Sequence, residues 1–197
     1  MINESFKPSD LWKRKVRTFD ELVRYIKPKP IVLVGDSIIQ HFRISEFIPG
    51  YYFINRGIDD DTLTGLLLRL KSSVLDLNPE KVFIHIGLND LPIKTDEEII
   101  SNYKDMLIEI IANNPSTIIF AISILPTSGY PDKRATRISY INSEIEKLTK
   151  SLELNFINAF PLFCDINEEL KPEFSNDGLN LNQAGYNLLA KTIKNYL

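Results

Sequence analysis

The tripeptide Gly35-Asp36-Ser37 follows the apolar run Ile31–Val34, and a helical pattern begins at Ser37. A serine at such a strand-to-helix turn directs its hydroxyl toward a ligand crevice, and its own N–H is one of the unpaired donors at the start of the helix. One residue can therefore supply both a nucleophile and an oxyanion donor. The alternative is a serine that only caps the helix. On this tripeptide alone, both interpretations stay open.

Three further segments place glycine or polar residues where apolar runs end. Gly57 follows the run Tyr51–Ile54, and Asn89 belongs to a Gly-Leu-Asn-Asp segment directly after Lys81–Ile86. The third segment, Asp177–Asn182, precedes the C-terminal helical pattern. A glycine at a strand end permits close approach to a ligand, and an asparagine offers an amide donor. Taken singly, a turn glycine, an Asx turn and a capping loop explain the same residues.

These segments depend on an alternation of short β-rich runs with longer stretches of helical spacing. The predicted strands are Ile31–Val34, Tyr51–Ile54, Lys81–Ile86, Thr117–Ile122 and Asn155–Ile157. The predicted helices are Ser9–Ile26, Thr62–Leu77, Asp96–Asn113, Ala135–Ser151 and Asn182–Leu197, with Thr95 or Asp96 and Asn182 as candidate caps. This order predicts an α/β fold: a three-layer α/β/α domain with a five-stranded parallel sheet. The ligand crevice of such a sheet lies at the carboxyl ends of its strands.

Composition narrows the possible functions. The chain has 197 residues, 44% of them apolar and 25% charged, with a net charge of −3, which predicts one folded domain and excludes wholesale disorder. Its apolar runs are far shorter than the ~20 residues of a membrane-spanning helix. The single cysteine, Cys164, excludes a disulfide framework and a cysteine-built zinc site, and the two histidines, His41 and His85, argue against a histidine-rich metal site. The acidic balance argues against nucleic acid as a partner.

The N-terminal region is predicted to be an amphipathic helix, residues 1–28, packed on a domain formed by residues 29–197. Its basic run, Lys13–Arg17, is either a solvated helix face or a surface for an anionic partner. Met1–Asp10 is polar and lacks the apolar segment of a signal peptide. Unless a leader has been removed, we therefore expect a cytoplasmic protein. A homo-oligomer is possible, and the sequence does not decide it.

Taken together, the four segments resemble the SGNH (GDSL-like) hydrolase superfamily. The blocks Gly35–Ser37, Asn55–Ile58, Gly87–Asp90 and Ser175–Asn182 resemble the four motifs of that family, and the likeness extends from Ile31 to the C-terminus. It is similar in particular to bacterial relatives of platelet-activating-factor acetylhydrolase. The resemblance implies a flavodoxin-like strand order of 2-1-3-4-5. It also implies a serine esterase that needs no cofactor and acts on a small-molecule ester, such as an acetyl group on a sugar or lipid.

The resemblance also implies roles for individual residues. Ser37 would be the nucleophile, and the backbone N–H groups of Ser37 and Gly57 would form the oxyanion hole with the side-chain amide of Asn89. Asp177 would orient the catalytic histidine, which family members carry three residues later. In this chain that position is Asn180.

Asn180 changes the expected chemistry. Histidine suits the role of base because its charge changes near neutral pH, whereas an amide has no basic nitrogen. In a serine hydrolase, loss of the base can cost about 10⁶ in kcat. Three hypotheses follow: an esterase with an impaired or altered mechanism, a pseudoenzyme that binds an acylated ligand or a partner, or a deliberate or recent His-to-Asn replacement.

Two histidines and three acids need separate interpretation. His41 lies one helical turn after Ser37 and is a candidate substitute base. His85 is predicted to be a packed, hydrogen-bonded core residue on one strand face with Phe83 and Gly87. The run Asp59–Asp61 stands where related proteins often have further glycines. It either binds a cation or forms a solvated loop in which Asp61 caps the next helix, and at the crevice rim it would disfavour anionic substrates.

Two long loops leave the carboxyl ends of predicted strands. They span Leu125–Arg134 and Asn158–Leu179, and both contain prolines. Because function concentrates on loops carried by a rigid scaffold, we expect these loops to select the substrate.

Overall fold

The computed structural model describes residues 6–129 and 133–197. The predicted loop Leu125–Arg134 therefore lies partly outside the described residues. The strands are β1 (Ile31–Gly35), β2 (Phe53–Gly57), β3 (Lys81–His85), β4 (Ile118–Ile122) and β5 (Asn155–Ile157). The helices are α1 (Asp10–Leu22), α2 (Ser37–Gln40), α3 (Ile44–Phe47), α4 (Leu63–Leu68), α5 (Leu70–Ser73), α6 (Asp96–Asn113), α7 (Lys133–Ser151), α8 (Phe160–Phe163) and α9 (Gln183–Lys194).

The five strands form one parallel sheet in the order β2-β1-β3-β4-β5. This confirms the predicted fold class and strand order. β1 lies between β2 and β3 and pairs with both, so that Gly35 lies opposite Gly57 on β2 and opposite His85 on β3. The carboxyl ends of these three strands therefore lie side by side at one edge of the sheet.

Apolar residues cover both faces of the sheet. On β1, Val32 and Val34 belong to one core cluster, while Ile31 and Leu33 belong to the other. The first cluster includes residues of α4, α6 and α7, and the second includes residues of α2 and α9. Alternate side chains of a strand point to opposite faces, so a strand buried on both faces must be apolar throughout. This is why the β1 run could be recognised in the sequence.

The N-terminal helix α1 lies against α5 and the turn after β2. Ser9 caps it by accepting a hydrogen bond from the Trp12 N–H at 3.1 Å. The indole N–H of Trp12 donates to Asp61 at 2.9 Å, and Phe19 is buried. These contacts join α1 to the rest of the chain. The division into segments 1–28 and 29–197 stays a prediction.

Helix boundaries follow the predicted caps at two ends. Thr95, the first of the two candidates, caps α6 in a capping box with Glu98. Asn182 caps α9 by accepting the Gly185 N–H at 3.1 Å. Within the described ranges, no helix combines the length and the apolar character needed to cross a bilayer.

Some elements differ from the predictions: the predicted loop Asn158–Leu179 contains the short helix α8, and the predicted helix Ser9–Ile26 is α1 followed by a 3₁₀ turn. The predicted strand Tyr51–Ile54 is wrong by two residues or more at each end, because β2 continues through Asn55, Arg56 and Gly57. Those residues are polar or small, so no apolar pattern marked them as strand. The predicted single helix Thr62–Leu77 is broken into α4, α5 and a short 3₁₀ turn, Leu75–Leu77. The first break falls at Arg69, whose guanidinium is wholly buried between α4 and the sheet edge.

Candidate active site

Ser37 is the first residue of α2, directly after the turn that follows β1. The helix is capped by Asp36, whose carboxylate accepts the Ile38 N–H at 3.0 Å. Ser37 is therefore not the cap, and its hydroxyl is not used in that way. In the part of the chain that the structure describes, the Ser37 N–H also has no hydrogen-bond partner. A free donor and a hydroxyl thus come from one residue at the sheet edge.

The residue types at the strand ends meet in one cavity of about 470 Å³. Its lining residues come from α2, from the turn after β2, from the segment after β3 and from the segment before α9. They are Ser37, Ile38, His41, Asp59, Asp60, Leu88, Asn89, Leu179 and Asn180. The structure therefore brings together Ser37, Asn89 and Asn180, which the sequence placed at three separate points of the chain.

Asn89 lies in a 3₁₀ turn, Leu88–Asp90, that directly follows Gly87. Gly87 has φ +125°, a conformation that a residue with a Cβ rarely adopts. The Asn89 amide donates one hydrogen bond to the Asp61 carbonyl at 3.0 Å. This bond crosses 28 residues of sequence, so Asn89 does not form the local Asx turn that was the alternative. An amide nitrogen has two hydrogens, and the second is free for a ligand.

Gly57 is not among the residues that line this cavity. Its N–H donates to the side-chain oxygen of Asn55 at 2.8 Å, and a Cβ at Gly57 would lie 2.1 Å from the Gln40 nitrogen. The need for glycine at this position is therefore close packing of β2 against the end of α2. The predicted oxyanion role of Gly57 has no support in this geometry, because its donor is already used.

Asp60 lies on the cavity wall three residues later. It has φ +56°, in the left-handed region, within a turn closed by the Asp61 N–H donating to the Ile58 carbonyl at 3.3 Å. Within residues 6–129 and 133–197, no acceptor is bonded to the Asp60 N–H. Asp60 is thus the available backbone donor of this turn. An aspartate gives no sequence signal for such a role, because the left-handed region is favoured by glycine.

Asp177 holds Asn180 at the cavity. One carboxylate oxygen accepts the Asn180 side-chain amide at 2.9 Å, and the other accepts the backbone N–H groups of Leu179 and Asn180 at 2.9 and 2.7 Å. These hydrogen bonds, the one from the Asn180 side chain foremost, lower the pKa of Asp177 to about 2. Asp177 itself is exposed and does not line the cavity. It therefore orients residue 180 from behind.

The two histidines have different environments. His41 lines the cavity, with Nε2 at 3.0 Å from Oδ1 of Asp59. His85 is buried on β3 with Nδ1 at 3.7 Å from Asp36 Oδ1. The prediction of a buried core position for His85 is confirmed. The prediction of a hydrogen-bonded ring is wrong, since neither ring nitrogen has a hydrogen-bond partner among the described residues.

The run of three acids divides between the cavity and the interior. Asp59 and Asp60 line the cavity, whereas Asp61 is fully buried. Asp61 does not cap the next helix: Thr62 does, by accepting the Gly65 N–H at 3.2 Å. The prediction of Asp61 as cap in a solvated loop is therefore wrong. Across the described ranges, no three His, Cys, Asp or Glu side chains form a cluster suited to a metal ion.

Asp61 instead forms a buried ion pair with Arg69 that supports the site from below. Arg69 Nε donates to Asp61 at 2.7 Å, and its terminal nitrogens donate to the carbonyls of Arg56 and Gly35 at 2.8 and 3.0 Å. Burial raises the pKa of Asp61 and lowers that of Arg69, and the ion pair opposes both shifts. One guanidinium thus connects the ends of β1 and β2, and no motif in the sequence indicated it.

The two predicted substrate loops contact each other near Asp177. The Ser128 N–H donates to the Gly178 carbonyl at 2.8 Å, and a Cβ on Gly178 would lie 2.4 Å from the Ser128 carbonyl oxygen. Gly178 also has φ +75°. Of the second loop, Leu179 lines the cavity. The selection of substrate by these loops stays a prediction.

Comparisons with known proteins concern the fold and the family of this chain. A structure from Streptococcus pneumonia, described as a platelet activating factor, is 25% identical with a TM-score of 0.87, over 94% of this chain and 92% of that chain. A GDSL-like lipase from Bacteroides thetaiotaomicron is 24% identical with a TM-score of 0.82, over 92% and 96%. A catalytic mutant of an acetylxylan esterase from Geobacillus stearothermophilus is 17% identical with a TM-score of 0.73, over 86% and 94%. The last two show the shared fold.

The sequence comparisons concern the family as a whole. Among curated proteins, none matches this chain significantly. The model of the GDSL-like lipase/acylhydrolase family matches residues 33–188, a range that includes Ser37, Asn89, Asp177 and Asn180. With most of its length matched by that model, the chain belongs to the GDSL-like lipase/acylhydrolase family.

Proposed function

We propose that this chain is a serine esterase that removes short acyl groups through an acyl-serine intermediate, and that Asn180 limits its rate. The observation that carries the proposal is the position of Ser37. It is the first residue of α2, has a free N–H, and shares one cavity with Asn89 and Asn180. Acyl transfer by a serine hydrolase requires a nucleophile and oxyanion donors that reach the same ester group, and residues that line one cavity can meet this requirement.

In the proposed reaction, Ser37 Oγ attacks the ester carbonyl carbon. The negative charge that forms on the carbonyl oxygen is stabilised by the N–H groups of Ser37 and Asp60 and by the free amide hydrogen of Asn89. We assign the middle donor to Asp60 because the Gly57 N–H is bonded to Asn55. The alcohol leaves, and water then releases the acyl group from Ser37. Each oxyanion donor contributes about 10²–10³ in kcat in a serine hydrolase.

The acids at the cavity suggest which esters fit. Asp59 and Asp60 both line the cavity, and among the described residues that line it there is no Lys or Arg. A wall of negative charge disfavours an anionic ester. We therefore propose neutral substrates, such as an acetyl group on a sugar or a lipid. Neutralising Asp59 and Asp60 should narrow the difference in rate between a neutral ester and an anionic one; an unchanged preference would contradict this substrate class.

The second candidate function is a pseudoenzyme that binds an acylated ligand or a protein partner without turnover. The observation in its favour is Asn180, which keeps the hydrogen bond to Asp177 but offers no basic nitrogen. In that case the cavity would be retained for binding alone. The two functions differ in whether Ser37 reacts.

The experiment compares the chain with its Asn180→His variant on p-nitrophenyl acetate, with Ser37→Ala in each background as the matched control. We expect a low Ser37-dependent rate in the chain itself and a rate several orders of magnitude higher with Asn180→His, since the Asp177 carboxylate already bonds the side chain at this position. Labelling of Ser37 by a fluorophosphonate should rise in parallel. If neither protein turns over the ester nor becomes labelled, the esterase proposal fails and the binding function is favoured.

A further inference from the structure

We propose that His41, oriented by Asp59, is the general base that activates Ser37 in this chain; the inference rests on the esterase function proposed above. The Asp177–Asn180 pair has the position of an acid and its base but no group that can take a proton. An acid–imidazole pair, Asp59–His41, lines the same cavity. Nothing in the family match assigns a role to either residue.

The position of His41 relative to Ser37 follows from the helix that carries both. His41 directly follows α2 as its C-terminal cap, and its N–H donates to the Ser37 carbonyl at 3.0 Å, so one helical turn separates the two residues. Residues four apart lie on one face, and the later side chain leans toward the helix start, over the earlier residue. Helix geometry therefore places the His41 side chain on the face of α2 that carries Ser37, and both residues line the cavity.

A histidine that acts as general base needs a group that orients its ring, and Asp59 can supply that group. Its Oδ1 is buried without a hydrogen bond, and His41 Nε2 is 3.0 Å away. A small rotation of the ring aligns an Nε2–H with that oxygen and leaves Nδ1 as the basic nitrogen. A buried carboxylate oxygen that lacks a hydrogen bond is costly, so an imidazole proton directed at it is favourable.

Asp59 is itself held against α2 by further polar contacts. Its backbone N–H donates to the Gln40 side-chain oxygen at 3.0 Å, and the Gln40 amide donates to Asp59 Oδ2. Lys15 on α1 donates to the same Gln40 oxygen. The carboxylate is thus fixed relative to the helix that carries Ser37 and His41, which is the preorganisation that an orienting acid requires.

The proton balance of the step is complete. As Ser37 Oγ bonds to the carbonyl carbon, its proton moves to His41 Nδ1, and Asp59 stabilises the imidazolium. The imidazolium then gives the proton to the departing alkoxide. In the second half, His41 takes a proton from water as the water attacks the acyl-serine, and returns it to Ser37. Ser37 Oγ has no hydrogen bond to the ring in this structure, so we propose that one water carries the proton from Ser37 Oγ to His41 Nδ1 while the ring stays beside Asp59.

Several charged groups lie near His41. Asp59 contacts its ring, Asp60 lines the same cavity, Lys15 of α1 donates to Gln40, and Asp177 accepts from the neutral Asn180 on the cavity wall. Two residues after His41 in the chain, the exposed Arg43 lies near Glu46. Only a neutral imidazole can accept the Ser37 proton, so the rate should fall when the solution is acidified.

The test uses four proteins on p-nitrophenyl acetate: the chain itself, His41→Ala, Asn180→His, and the double variant. We expect His41→Ala to lower the Ser37-dependent rate at least 10-fold, to abolish its acid-side decline, and to be partly rescued by added imidazole. In the Asn180→His background, the same substitution should change the rate less than about 3-fold, because the new histidine supplies the base. That small change also shows that His41→Ala folds.

The outcomes separate this inference from the proposed function. If Asn180→His is active and His41→Ala leaves the rate of the unaltered chain unchanged, the esterase function stands and His41 is not its base. If His41→Ala lowers both backgrounds equally and imidazole does not rescue it, His41 is a structural residue and the inference is overturned. If Asn180→His itself is inactive and Ser37 is not labelled, the esterase function fails.

Discussion

Replacing Arg69 with methionine tests whether the buried ion pair beneath the site holds the sheet edge together. Methionine keeps an unbranched, apolar side chain of similar length but removes the five N–H donors. The change leaves Asp61, which is fully buried, without its cationic partner and takes a donor from the carbonyls of Gly35 and Arg56. Removing one partner of a buried ion pair costs about 3–5 kcal/mol, and we expect a loss of free energy of unfolding in that range.

The double variant Arg69→Met with Asp61→Asn separates charge from packing. It removes the unpaired carboxylate, while the new amide oxygen still accepts the Trp12 indole N–H. We therefore expect the double variant to recover about 2 kcal/mol relative to Arg69→Met, since a neutral buried group costs less than an unpaired charge. Urea unfolding at pH 7, followed by circular dichroism, measures both values.

The pH dependence gives an independent check with a definite sign. Burial raises the pKa of Asp61 above its value in the unfolded chain, and Arg69 opposes that rise. Stability from such a raised pKa is present at low pH and is lost as pH rises through the folded-state value. Without Arg69, nothing in the ion pair opposes the rise in the pKa of Asp61. The loss of free energy of unfolding caused by Arg69→Met should therefore be smaller at pH 5 than at pH 8. A deficit below about 1 kcal/mol, or a double variant no more stable than the single one, would refute the reasoning.

Three further predictions concern the turn after β2 and the loop before α9. Asp60→Gly should raise the free energy of unfolding by about 0.5 kcal/mol, because glycine tolerates φ +56°. Asp60→Ala should not raise it, and urea unfolding of both variants measures the difference. Gly57→Ala should lower the free energy of unfolding by more than about 2 kcal/mol, because the new Cβ would lie 2.1 Å from the Gln40 backbone nitrogen. A smaller decrease would mean that β2 and α2 can move apart at little cost in free energy. Asp177 has a pKa lowered to about 2, so its carboxylate stabilises the fold above its ordinary pKa and loses that effect as pH falls toward 2. The stability difference between the chain and Asp177→Asn should therefore shrink between pH 5 and pH 3, and a constant difference in thermal unfolding would contradict this.

Much of the fold was predictable because buried strands and long helices leave a local pattern. The runs that became β1, β3 and β4 each contain at least three consecutive apolar residues, since both faces of these strands are covered. The bounds of α6 were correct at both ends, with Thr95 as its cap. The same local signals fail at β2, which continues into Asn55-Arg56-Gly57, where hydrogen bonding to β1 rather than apolar character makes the strand.

The residues around the cavity divide in the same way. Ser37, Asn89 and Asn180 could be placed at one sheet edge from sequence, because parallel strands end on the same side and each residue follows a predicted strand or precedes the last helix. Asp60 could not, because its contribution is a backbone N–H exposed by a left-handed φ, and its side chain says nothing about that. Gly57 was singled out for its residue type, while its actual constraint is contact with Gln40 of α2.

The alternation of strands and helices, the four motif segments and the asparagine at position 180 could be recognised from the residues, because they are local patterns and residue identities. The strand order 2-1-3-4-5 followed only from the resemblance to the SGNH family. Tertiary packing was needed to show which donors have no partner among the described residues, that Arg69 connects the ends of β1 and β2, and that His41 lies beside Asp59. Those are distances between residues far apart in the chain. They depend on how the turns and helices pack against the sheet, and no local pattern encodes that packing.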